Sequence, residues 1–244
     1  MKKVNLFLST ILLAAMMQIS CKGGGANESP STKEVSDSDG TNESSSTNEV
    51  SDYEEDTYKE VAVGKQLWMN KNLNVNKFSN GDIIPEAKTT EEWIKAAKNK
   101  QPAWCYYDND PANGKKYGKL YNWYAVNDSR GLAPKGWHVP SDEEWKVLSK
   151  CDSNPGIMLK SKSGWADGNT RSALDMYGFS ALPCGERAIE DGSFYYIGQY
   201  GNWWISTEAK TSKAAYYNLG YNESRVYRYT EDKGCGYSVR CLRD

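Results

Sequence analysis

The spacing of apolar positions predicts the elements of this chain in sequence. Val61-Ala62-Val63 and Gln66-Leu67-Trp68-Met69 are short β-prone runs around Gly64-Lys65, which predicts a tight hairpin on a Gly-X turn. Thr89 and Thr90 precede Glu91-Glu92-Trp93-Ile94-Lys95-Ala96-Ala97, so a cap, early acids and strong helix formers predict a helix over about 90–100. Ser141 with Glu144 three residues on is a capping box, and Trp145 and Leu148 share a helical face. A second helix is therefore expected to run to about Lys150. Beyond it glycine recurs every few residues and β-prone runs are short: Trp203–Ser206, Ala214–Leu219, Ser224–Tyr229 and Gly236–Leu242. Two early helices followed by an irregular antiparallel sheet with long loops give an α+β class.

The N-terminal pattern is different in kind. Lys2 and Lys3 precede an apolar run from Leu6 to Met17, too short for a membrane span and suited to a signal peptide over 1–20. Gln18-Ile19-Ser20-Cys21 puts a small residue before a cysteine, so Cys21 is expected to carry lipid and anchor the chain to a membrane. Lys22-Gly23 lacks an acidic retention signal, which favours the outer membrane. Residues 21–60 then read as an acidic tether. From 22 to 60 eleven acids oppose three lysines, leaving −8, with almost no large apolar residue, a composition that does not offset its ordering entropy. Ser31–Asp37 returns in variant form as Ser46–Asp52. Such a chain reaches about 35 Å end to end.

Residues 61–244 suffice for one domain with its own core. Without the tether and the two signal lysines the chain's −2 becomes +4, too little to argue for nucleic acid. Seventeen Tyr and nine Trp against four Phe favour rings with a polar edge. Such rings suit cores, half-wet surfaces and sugar-stacking platforms alike. His138 is the one histidine and no CxxC occurs, so neither a zinc site nor any other metal or cofactor is expected. No catalytic set emerges: His138 before the Ser141 cap reads as shaping the start of a helix, and acids such as Asp167, Glu186, Glu190, Asp191 and Glu208 are scattered. Asp108–Gly114 reads as a plain polar turn rather than a calcium loop, because Ala112 and Lys119 occupy ligand positions.

Four motifs carry a resemblance: GWHVPSDEEW at 136–145, YGFSALPCGER at 177–187, GSFYYIGQYGNWWISTE at 192–208 and GYSVRCLRD at 236–244. In this order and spacing they resemble the Fibrobacter succinogenes major paralogous domain, a family of bacterial surface lipoproteins, from about Val61 to Asp244. The resemblance implies a C-type-lectin-like fold related to formylglycine-generating enzymes, with the domain's two ends meeting as neighbouring strands. It does not imply their chemistry. In Gly201-Asn202-Trp203-Trp204-Ile205-Ser206 isoleucine stands where the calcium-binding acid belongs, and Cys235 lacks the partner of a reactive pair. Lectin calcium motifs such as Glu-Pro-Asn are also missing.

What remains is an aromatic surface. Adjacent strand residues point to opposite faces, so one of Trp203/Trp204 and one of Tyr216/Tyr217 is expected outward. Flanked by Glu208, Asn218, Arg225 and Arg228, such rings suit saccharides. The expected function is a lipid-anchored envelope or cell-surface module that binds carbohydrate or another surface polymer. The alternatives are a structural lipoprotein with protein partners and a divergent formylglycine-type enzyme. The resemblance also implies two bridges that tie the last strand to the body. The family usually has small residues at 184 and 235, and the matched departure implies Cys184–Cys235. Cys241 is left to Cys105 or Cys151. Trp104-Cys105-Tyr106-Tyr107 reads as a strand able to lie beside the last one, which favours Cys105 and leaves Cys151 free. Limited proteolysis should remove residues 22–57 and leave a stable fragment starting near residue 58. Protected amides within 30–50 by hydrogen exchange would contradict the tether.

Overall fold

The computed structural model describes residues 58–167 and 173–244. The signal segment, Cys21 and the tether up to residue 57 lie outside the described residues. The domain reaches back at least to Tyr58, inside the span 21–60 expected of the tether. Tyr58 packs against the core and its hydroxyl accepts a bond from the Asn74 amide at 3.0 Å. Strand β1 (Glu60–Val63) starts inside the span expected of the tether.

The hairpin forms as expected: β1 pairs antiparallel with β2 (Gln66–Met69), Val63 opposite Gln66, with Gly64 at φ +62 in the turn. Helix α1 (Thr90–Lys98) carries a capping box of Thr89 and Glu92 and buries Trp93 and Ala97. Next come β3 (Trp104–Cys105), α2 (Pro111–Tyr117), β4 (Leu120–Tyr121), α3 (Trp123–Val126) and β5 (Trp137–His138). Helix α4 (Asp142–Leu148) has the expected Ser141/Glu144 box, and α5 (Pro155–Leu159) follows. The rest is strand: β6 (Cys184–Arg187), β7 (Phe194–Ile197), β8 (Tyr200–Lys210), β9 (Lys213–Gly220), β10 (Tyr227–Asp232) and β11 (Leu242–Arg243). The class is α+β, with five helices among the described residues rather than two. The three extra helices are short and start at local caps: Asp110 accepts from the Ala112 amide at 2.8 Å, Asn122 caps α3, and Pro111 and Pro155 open α2 and α5. Asp108–Gly114 therefore leads into a helix and is not a plain turn.

Three sheets result. One has the order β1-β2-β11-β5, so both ends of the domain lie side by side, Leu242 opposite Trp68 and His138. Another has the order β10-β9-β8-β6-β7, antiparallel except for β6 against β8. The third pairs β3 with β4.

The expected strand Gly236–Leu242 is instead an extended spine that changes partners at nearly every residue. Gly236 exchanges bonds with Arg187, Tyr237 with Tyr121, and Ser238 with Asn202 and Trp204; Val239 and Cys241 accept from Leu73 and Met69. Serving so many segments leaves it no single ladder. Gly236 is required where the spine meets α1, since a Cβ there would lie 2.8 Å from the Trp93 ring. The expected strand Ser224–Tyr229 begins only at Tyr227. The preceding loop is tied to α5 instead: Ser224 accepts from the Gly156 amide, and Lys160 Nζ donates to the carbonyls of Tyr221 and Glu223.

Two buried arginines lock the spine. Arg240 is fully enclosed and donates to Asn72 Oδ1, Met69 O and Phe179 O, with its plane over the Phe179 ring. Arg187 donates to the carbonyls of Gly192, Ala87 and Thr89 between the rings of Trp93 and Phe194. Among the described residues no helix is long and apolar enough to cross a membrane.

His138 fastens the seam between the ends. Its Nε2 meets Glu144 Oε1 and its Nδ1 meets Asp244 Oδ1, each at 2.9 Å. Burial pulls its pKa down, but the two carboxylates outweigh burial and the net shift is upward. A raised folded-state pKa gives stability that is fully present below the unfolded value of about 6.5 and is lost as pH rises through the folded value. Thermal unfolding of wild type and His138→Gln across pH should show a wild-type advantage that shrinks through this window. A gap independent of pH would contradict it.

Candidate functional site

Strand β8 lies between two cores, and this decides where the aromatic residues go. Trp203 packs with Trp68, Trp145, Phe179 and Tyr217 on one side. Trp204 packs with Trp104, Tyr121, Trp123 and Tyr237 on the other. They are 1 % and 0 % exposed, so neither is the outward ring the alternation predicted. Alternation holds, but both faces are covered. Each indole N–H is also occupied: Trp203 Nε1 donates to Asn72 Oδ1 at 2.9 Å and Trp204 Nε1 to Tyr121 O at 3.0 Å. Tyr217 is buried too, stacked 5.0 Å from Trp145 with its hydroxyl on Asp142. Arg228 is drawn to the same Asp142 at 2.5 Å, and Glu208 pairs with Lys233. Arg225 is exposed. Of the eight expected ligand-binding residues, only Tyr216 and Asn218 come together in a cleft.

That cleft, of about 420 Å³, lies over one face of the β6–β10 sheet. Cross-strand register builds it: Asn202 of β8 faces Asn218 of β9, and Tyr216 faces Tyr229 of β10. Tyr200 and Glu231 extend the same faces, and Tyr237 and Cys235 of the spine contribute from below. Glu186, Ala188, Glu190 and Tyr196 close the side formed by β6, β7 and their turn. Tyr196 sits at φ +66, a backbone region unfavourable for an aromatic residue and often found where a side chain is aimed for function. Its ring lies 5.5 Å from that of Tyr200. Gly185, at φ +66, permits this approach of β6 to β7, because a Cβ there would be 2.5 Å from Tyr195 O.

The cleft's charged residues are all acids. Asn218 Nδ2 donates to Asn202 Oδ1 at 2.7 Å, and Asn202 Nδ2 donates to Glu186 Oε2 at 3.0 Å. Burial, then Glu231 and Glu190, push the Glu186 carboxyl up to about 7. Glu231 is held by Lys213 at 3.1 Å. Burial pushes the Tyr216 hydroxyl up to about 12. Sequence reasoning noticed Glu186 and Glu190 among scattered acids but did not join them to these tyrosines; Glu231 it missed. The available signal was the hydrophilic alternation Tyr227-x-Tyr229-x-Glu231 on an edge strand.

Among the described residues no three His, Cys, Asp or Glu side chains converge to hold a metal ion. Ile205 is fully buried in apolar core.

A family model described as the Fibrobacter succinogenes major domain matches residues 61–243. The chain belongs to that family. No curated protein and no solved structure matches it. The motifs of this Fibrobacter succinogenes major domain fall on structural positions. Trp145 and Trp203 sit in the core, Arg240 in its carbonyl cage, and Gly236 against Trp93.

The expected bridges do not form: Cys105, Cys151, Cys184, Cys235 and Cys241 are all free thiols. Register gives the reason. The Arg187–Gly236 bridge is antiparallel, which sets Cys235 beside Ala188 and Cys184 four residues further along. At about 3.3 Å per residue the separation is about 13 Å, against a bridging limit of about 7 Å between Cα atoms. Cys105 lies on β3, and β4 stands between β3 and the spine, so it does not border Cys241. Burial pushes the Cys105 thiol up to about 12, and Cys184, Cys235 and Cys241 are raised as well. Alkylation of the native domain should label half-buried Cys151 first, and labelling after denaturation without reductant should reach all five. A Cys184–Cys235 peptide in non-reducing maps would contradict this register.

Proposed function

We propose that the chain is a lipid-anchored envelope module, displayed at the outer membrane or cell surface, whose tyrosine-lined cleft binds carbohydrate. The cleft carries the reading. Tyr196, Tyr200 and Tyr229 offer ring faces for sugar C–H groups, while Asn202, Asn218 and Glu186 offer partners for hydroxyls. Its size falls within the range of about 300–1,000 Å³ usual for ligand pockets. The anchor at Cys21 and the spacer after it rest on the sequence. A C-type-lectin-like arrangement is supported by the pairing of β2 with β11, which joins the domain's ends away from the cleft strands.

Glu186 favours a second reading, glycoside hydrolysis. A carboxylic acid raised to about 7 in a cleft is what a general acid needs, and Glu231 is a second carboxylate. Binding is preferred because the Asn202 amide donates to Glu186, which favours its ionised form rather than the protonated one. Release of reducing ends from an oligosaccharide, abolished in Glu186→Gln, would establish hydrolysis instead.

The binding test is mutational. Tyr229→Ala and Tyr196→Ala should each weaken a measured oligosaccharide affinity by on the order of 1 kcal/mol or more with unfolding unchanged. Trp203→Ala and Trp204→Ala should instead lower unfolding stability by about 3–5 kcal/mol. Unaltered affinity in both tyrosine variants would remove the cleft from the binding role.

A further inference from the structure

We propose that this cleft takes an ammonium group carried on an amino sugar: tyrosine rings line a cavity whose charged residues, Glu186, Glu190 and Glu231, are all carboxylates. The inference rests on the carbohydrate reading of the same cleft and specifies its ligand.

A neutral sugar gives no reason for three acids around one cavity. Their mutual repulsion is unfavourable unless a cation enters, and ring faces attract the same cation through their quadrupoles. Among the described residues one nearby cation meets these acids, and it meets Glu231 alone. Lys213 holds Glu231 Oε1 from the β9 side and does not line the cavity, Lys233 pairs with Glu208, and Arg228 with Asp142. Nothing therefore neutralises Glu186 from within. Burial, Glu231 on β10 and Glu190 in the β6–β7 turn raise its pKa, and they outweigh the single hydrogen bond from Asn202. The other titratable groups lining the cavity are tyrosines and the Cys235 thiol, the latter raised by the same burial and acids. The acids do not converge as metal ligands do, which suits a broad organic cation over a bare ion. The cavity is also larger than an ammonium head alone would fill. The Asn218–Asn202–Glu186 chain supplies hydrogen-bonding groups for sugar hydroxyls beside the charge. A lysine side chain would leave these amides unused.

The test measures binding to the full chain of a glucosamine oligomer, its N-acetylated counterpart, a cello-oligosaccharide and an oligolysine peptide, at about pH 7 where the amines and the Glu186 carboxyl both carry charge in part. The glucosamine oligomer should bind at least about tenfold tighter than either neutral oligomer, a difference of about 1.4 kcal/mol. Glu186→Gln and the exposed Glu190→Gln should each narrow that preference, the second variant guarding against a folding defect in the first. Tetramethylammonium, whose charge does not titrate, should bind about tenfold tighter at pH 8 than at pH 6, since Glu186 must ionise to receive it. Equal binding of neutral and amino oligomers overturns the ammonium inference and leaves the carbohydrate reading intact. Tighter binding of oligolysine overturns the sugar carrier in favour of a protein partner. No binding of any oligosaccharide overturns both.

Discussion

A guanidinium enclosed without a carboxylate sets the terms for this domain. Arg240 is wholly buried and, among the described residues, forms no ion pair with an acid; burial draws its pKa down to about 9, outweighing the more distant Asp175. Only oxygen atoms aimed at it make the position tolerable, and they come from separate segments: Met69 at the end of β2, Asn72 just after it, and Phe179 ahead of β6. A hydrogen bond to a charged group contributes about 1.5–3 kcal/mol, so these segments are held together through the guanidinium. Asn72 extends the constraint, since its Oδ1 also accepts from Trp203 and its Nδ2 donates to Tyr117 O. One amide thus couples the spine, the hairpin, α2 and the central strand.

The spine follows from that anchoring. Held at Arg240 and again through the Gly236–Arg187 bridge, residues 235–241 run through the interior with partners on both sides. Their presence covers the Trp204 face of β8, while α4 covers the Trp203 face through Trp145. The sheet therefore has no large free face. What stays open is the part of the β8–β10 surface beside Cys235 and Tyr237 of the spine, and there the cleft lies. Its floor is the spine itself, through Tyr237 and Cys235. The cleft is thus a by-product of how the arginine cage places the C-terminal residues.

Local signals were legible because they are short-range. The Gly64 turn, the Thr89 and Ser141 capping boxes and the runs within β8 and β9 each rest on residues a few positions apart, and each formed. The family motifs were legible for a similar reason. The spine was not, since its β-prone residues say nothing about having several partners rather than one. The short helices lacked enough length for a periodic stripe. The outward placement of Trp203 or Trp204 assumed a sheet with one wet face, and the second core removed that assumption. The cysteine pairing needed the register between Arg187 and Gly236, which no local pattern encodes. Glu186 was visible only as an acid on a loop-rich stretch. Its character comes from β10, which the sequence does not place beside it.

The aromatic bias now divides by ring type. Seven of the nine tryptophans are buried, and several spend the indole N–H on interior acceptors: Trp104 on Ile84 O, Trp123 on Ile205 O, Trp203 on Asn72 and Trp204 on Tyr121 O. Tryptophan here is core material that also satisfies carbonyls left over by irregular strands, a use phenylalanine cannot serve. Tyr195 and Tyr196 of β7 and Tyr229 of β10 are exposed, where phenylalanine would present only apolar surface. A composition that first suggested one broad stacking platform thus reflects two separate demands. The loosely regular backbone requires donors in its core, and the cleft requires rings that tolerate water. The second demand falls on tyrosines and glutamates rather than on the tryptophan pair.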